Sequence, residues 1–177
     1  MIGGTVDPEM AMALAVGMLE NAKFKYEVRS DREEIWVPFG SAAVYIQAES
    51  ATVEGHTYLT FQVPLVQDLR ITKQSSLKIL SWLNQQNLQS RGFRFALTPQ
   101  EPSSEGTANR SAVEMRYEVL AEHLQEEELV HAVKWLGTQA DLLDDKFIEE
   151  FGGSNHQQAM RASKAVNTSK DGAGVDI

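Results

Sequence analysis

The stretch Leu77-Lys-Ile-Leu-Ser-Trp-Leu-Asn-Gln-Gln-Asn87 is followed by Phe93-Arg-Phe-Ala-Leu97 and Val113-Glu-Met-Arg-Tyr-Glu-Val119. The first piece reads as an amphipathic helix, and the next two alternate in the period-two manner of strands. A long helix then carries Leu129, Val133, Leu136, Ala140, Leu143 and Phe147 at spacings of 4-3-4-3-4, with Phe151 four residues further on. At about 100° per residue the six fall within about 40° of one line, which makes them a core seam. Helix, two strands and helix in that order form an α+β packing unit.

Upstream, Asp7-Pro8 suits a helix start, with Asp as N-cap and Pro at the first helical position. The helix it opens runs to about Asn21 and is apolar on most sides, so it is expected to be buried. Phe24, Tyr26 and Val28 alternate with charged residues, and Ser30-Asp31-Arg32-Glu33 is a polar turn. Ile35, Val37 and Phe39 begin a return strand, and Gly40-Ser41 either bends it or separates it from Val44-Tyr-Ile46. Leu59, Phe61, Val63 and Leu65 alternate again.

The helix before Asn87 begins near Thr72 or Ser75 and ends near Ser90, where Arg91-Gly92 turns the chain. Pro99 to Arg110, rich in Pro, Ser, Glu and Gly, reads as an exposed hairpin loop. Beyond Gly152-Gly153 the periodicity is lost. The expected architecture is α-β-β-β-α-β-β-α: an antiparallel sheet of about five strands with helices packed on one face. Residues 1–151 form a single domain in this reading, and 152–177 a disordered C-terminal tail.

A chain of 177 residues fits one domain, burying roughly 70% of its unfolded surface. Its 16 basic and 25 acidic residues give a net charge of −9, with no basic run. That argues against nucleic acid, whose phosphates are met by clustered Lys and Arg. The absence of cysteine excludes disulfides, thiolate catalysis and Cys-based zinc sites. Met10 to Leu19 resembles a signal-peptide core, but Asp7 and Glu9 stand where such a signal places basic residues. At ten residues the run is also too short to cross a bilayer. A cytoplasmic protein without membrane contact is expected.

The helix around Trp82-Leu83-Asn84 and Asn87 resembles that of the YbjN family, which ends in a leucine, an asparagine, two or three residues and a second asparagine. Phe93 to Leu97 looks like that family's following strand, and Val113 to Leu120 with the helix through Trp135 and Asp141 continues the likeness. The family is described as bacterial sensory-transduction regulators, and its fold is similar to that of type III secretion chaperones. Those chaperones bind extended segments of client proteins, commonly as dimers. The family has no agreed catalytic residues, so the resemblance implies none.

No catalytic constellation stands out. The histidines His56, His123, His131 and His156 show no metal-ligand spacing, and no nucleophile elbow, phosphate-cradling loop or dinucleotide fingerprint is present. Glu126-Glu-Glu128 is explained by the helix dipole. Asn87 falls in an apolar arc with Ile79, Leu80, Leu83 and Leu88, and is expected to fix the turn at Arg91-Gly92. The expected function is therefore a non-enzymatic protein-binding module, a chaperone-like or regulatory adaptor, homodimeric, without cofactor or metal. The alternative is a small-molecule sensor with a pocket between sheet and helix. Candidate partner-binding residues are Met10, Met12 and Met18 on the first helix and Trp135 and Leu142 beside the seam of the last. Exposed sheet edges are a further route to a peptide.

Overall fold

The structure is a computed structural model that describes residues 6–50, 55–90, 92–100 and 110–162. Helix α1 (Pro8–Asn21) is capped by Asp7, whose Oδ1 accepts from the Met10 N–H at 2.7 Å. Four strands follow: β1 (Glu27–Arg29), β2 (Glu34–Phe39), β3 (Ala42–Ser50) and β4 (Thr57–Arg70). Helix α2 (Lys73–Gln89) opens with a reciprocal capping box between Thr72 and Ser75. Strands β5 (Phe93–Pro99) and β6 (Arg110–Leu120), one 3₁₀ turn and helix α3 (Glu126–Phe151) complete the order. The strands form one antiparallel sheet in the order β1-β2-β3-β4-β6-β5.

All three helices lie on the sheet face carrying Ile35, Val37, Ile46, Phe61, Val63 and Met115. The α3 seam behaves as its spacing predicts: Leu129, Val133, Leu136, Ala140 and Phe147 are buried, and Leu143 is half-buried. Helix α1 seats through small residues, Ala11 and Ala15, with Leu19. The architecture is the expected α+β fold with one difference in strand count. Gly40, at φ +56°, separates two strands instead of bending one, so the sheet has six strands and not five.

The tail expected to begin at residue 152 is corrected over residues 152–162. Gly152 and Gly153 adopt left-handed backbone (φ +82° and +98°) and carry the chain from α3 onto β4. There the N–H of Gln67 donates to the Ser154 carbonyl at 2.8 Å, and the Ser154 N–H returns the bond at 2.9 Å. Asn155, His156 and Ala159 are buried, and residues 156–162 are helical. The remainder of that tail, residues 163–177, lies outside the described residues, as does most of the expected hairpin loop, 101–109.

Two close approaches hold the β2–β3 hairpin against α3. The Phe39 ring lies where a Cβ on Gly137 would stand. Ser41 donates its N–H (2.9 Å) and its hydroxyl (2.7 Å) to Asp141, with Asp144 Oδ2 also 2.9 Å from that hydroxyl. Those bonds hold the Asp141 carboxyl below its ordinary range, whereas burial pushes Asp144 up. Gly137→Ala should destabilise the fold by about 1–2 kcal/mol. The overpacking against Phe39 outweighs the gain in helix propensity of roughly 1 kcal/mol. Chemical denaturation checks this, and an unchanged or raised midpoint would contradict it.

Candidate functional site

The open sheet has two edges, β5 and β1, and its chain treats them differently. Along β5 the outward groups are those of Phe93, Phe95, Leu97 and Pro99. The Asn87 side chain meets Phe95 twice, donating from Nδ2 to its carbonyl at 3.0 Å and accepting its N–H at Oδ1 at 2.6 Å. One carboxamide thereby replaces a neighbouring strand. Ser90 Oγ donates to the Phe93 carbonyl at 2.8 Å, and Pro99 has no N–H. Phe93 and Leu97 keep outward N–H groups, but Asn87 occupies the Phe95 groups between them, so the β5 edge is closed to continuous strand addition. Asn87 thus ties α2 to the strand after the turn, with backbone rather than apolar neighbours as its partners.

The β1 edge is short but open. In the hairpin turn the Arg29 carbonyl accepts from the Arg32 N–H at 3.1 Å, so Arg29 faces β2 and Val28 turns its N–H and carbonyl outward. Its side chain is 51% exposed. Beside it runs a groove of about 580 Å³ between the start of α1 and the β1–β3 strands, with Met12, Val28 and Ala48 as apolar surface. The rim carries Asp7, Glu9, Glu33 and Glu34 against a single cation, Arg29. Arg29 pairs with Glu34 at 3.3 Å and lies over the Trp36 ring at 4.9 Å, leaving the rim acidic.

A second groove, of about 590 Å³, separates α2 from α3 over β5 and β6. Phe93 and Trp135 form its aromatic floor, with ring centroids 3.9 Å apart. Gln86, Gln89, His131 and Gln139 converge on it. So does Glu128, which accepts from the Tyr117 hydroxyl at 2.7 Å. Burial and that carboxylate push the Tyr117 phenol up to about 12.

Helix α2 buries only Ile79 and Leu83. The apolar arc read from its sequence does not coincide with the core side, because Leu77 and Leu88 lie on roughly the opposite face and Leu80 on the flank between. They are 76%, 51% and 79% exposed. This face belongs to the stretch 69–100, which holds five basic residues and none of the chain's 25 acidic ones.

The predicted partner-binding residues do not form one site. Met10 is exposed on the outer side of α1, Met12 lines the β1 groove and Met18 packs half-buried against the core. Trp135 lines the α2–α3 groove through its contact with Phe93, and Leu142 is exposed without lining either groove. Among the described residues no cluster of three or more His, Asp or Glu is placed to hold a metal, and no helix is long and apolar enough to cross a membrane.

The sequence model of the family described as T3SS (YopN, CesT) and YbjN peptide-binding chaperone 1 matches residues 10–159. The chain belongs to this family of peptide-binding chaperones. Its fold is similar to the crystal structure of YbjN from E. coli, with a TM-score of 0.52, 8% identity and coverage of 78% of this chain and 92% of that one. No curated protein matches. The matched region of this YbjN-like chaperone chain runs past α3 to the docked segment at Ala159.

Sequence reasoning missed Val28 and the leucines of α2 as surface groups. The signal that could have found the α2 face is charge: no carboxylate falls between Leu69 and Gln100. Asn87→Ala should cost this chaperone-family fold about 1–3 kcal/mol, because the Phe95 N–H is left without a partner. It should also make the chain aggregate through the uncovered β5 edge. Thermal unfolding with light scattering checks both, and a melting curve matching the parent's would contradict the role of Asn87.

Proposed function

We propose that the protein is a non-enzymatic adaptor of the chaperone kind, which holds an extended segment of a client protein on the β1 edge. The single observation carrying this reading is the open Val28 backbone beside the Met12 groove, opposite an edge already closed by Asn87. Backbone pairing supplies affinity in such complexes, and alternate side chains enter the adjacent groove. The acidic rim favours a client segment that follows apolar residues with Lys or Arg. Selection of short random peptides on the full chain should enrich that pattern. Val28→Pro removes an outward N–H that the fold does not use, so it should leave stability nearly unchanged and weaken the selected peptides about tenfold or more. Equal binding by the proline variant would contradict the site.

The same reading makes the protein a homodimer through the outer face of α2. Leu77, Leu80 and Leu88 are exposed there on a stretch without carboxylates, so copies of a chain with net charge −9 meet without acidic repulsion. Light scattering should give twice the chain's mass, and Leu80→Asp should give a monomer with unchanged circular dichroism. A monomeric parent would overturn this interface. The α2–α3 groove supports the alternative, a small-molecule sensor, because polar groups converge there on an aromatic floor.

A further inference from the structure

We infer that residues 153–162 form a plug on the sheet face opposite α1, α2 and α3, held at neutral pH and released by protonation of His156. The face is set by the pleat: Trp36 and Tyr45 are paired across β2 and β3 and point away from the core side of Ile35 and Ile46. His156 sits edge-on against Tyr45, with ring centroids 5.8 Å apart. Its Nε2 is 3.5 Å from the Tyr45 hydroxyl, and its Nδ1 is buried with no hydrogen-bond partner among the described residues. The residue is 6% exposed.

The docking is built into the chain on both sides. β4 breaks register between Pro64 and Leu69, and Asp68 there takes φ +56°. This turns Gln67 toward Ser154 for their reciprocal backbone bonds, and Asp68 Oδ2 lies 3.4 Å from Ser154 Oγ. Gly153 packs so closely that Val66 occupies the position of any Cβ. Asn155 and Gln158 then exchange backbone-to-side-chain bonds at 3.1 and 3.0 Å, starting the short helix.

Two groups act on the imidazole from the sheet, Tyr45 from β3 and Arg29 from β1, and Arg29 is in turn bonded to Glu34 of β2. Arg29 lies 5.9 Å from the Tyr45 ring centre. An imidazolium at this place would be desolvated, would have no acceptor for its Nδ1 proton, and would stand in the field of a guanidinium. Burial first, and Arg29 second, hold His156 below its ordinary value of 6.5. A group depressed in this way favours the docked state above its undocked pKa, and the advantage is lost as pH falls below that value. Release uncovers Trp36, Tyr45 and the Gln67 backbone, giving a second partner surface that the chain keeps closed for itself.

Hydrogen exchange of the full chain at pH 7.5 and 5.5, corrected for intrinsic rates, tests the plug. Opening of 153–162 should rise about tenfold at the lower pH, as expected for a histidine of ordinary undocked pKa that stays neutral when docked. Strands β3 and β4 should keep their protection. His156→Gln should remove the pH response, and Gly153→Val should leave the segment open at both pH values. The inference is overturned if the parent's segment is equally protected at both pH values. Loss of protection by the strands in parallel with the segment, or a pH response that persists in His156→Gln, would overturn it too. The comparison in the parent chain decides even if the glutamine variant never docks.

Discussion

An open antiparallel sheet leaves a row of N–H and carbonyl groups at each edge, and the stability and reactivity of the fold depend on where those groups find partners. Here the decisive interaction is the Asn87 carboxamide on the Phe95 backbone, two hydrogen bonds of 2.6 and 3.0 Å. It fixes where α2 ends, and with Trp82 against Phe95 and Phe147 it sets the helix's distance from α3. With the β5 edge closed, the groove between α2 and α3 is left as a cavity lined by side chains. The edge backbone left open then lies at the other end of the sheet, at Val28.

The same constraint explains the unusual surface of α2. A helix anchored by one amide and by Ile79, Trp82 and Leu83 needs no further apolar residues for its own fold. Leu77, Leu80 and Leu88 nevertheless face outward, in a stretch free of carboxylates. Soluble helices ordinarily place charge on that face. The proposed client edge at β1 and the proposed self-association face of α2 sit at opposite ends of the sheet.

The α3 seam was readable because 26 helical residues give a period many turns to declare itself, and the strands of the carboxy-terminal half because each alternates over several residues. Gly40 left two readings open, since a glycine at φ > 0 serves a bend or a turn equally well. The α2 helix misled because five apolar residues and an asparagine fit an arc whose direction toward the core no sequence period specifies. Asn87 showed that it needed partners, but not that those partners were backbone atoms eight residues on. The methionines of α1 were scattered over inner and outer positions because Ala11 and Ala15, rather than the larger side chains, make the close contact. The docked segment at 153–162 was invisible as a periodic pattern. It is held by backbone bonds at a bulge and by one buried imidazole, neither of which leaves a repeat.

The contrast between the two edges is tested most directly by amide exchange at single residues, measured by nuclear magnetic resonance on the isolated chain. The Phe95 N–H, held by Asn87, should be strongly protected, whereas the outward Val28 N–H should exchange close to its unstructured rate. A Phe95 amide that exchanges as freely as that of Val28 would contradict that contrast.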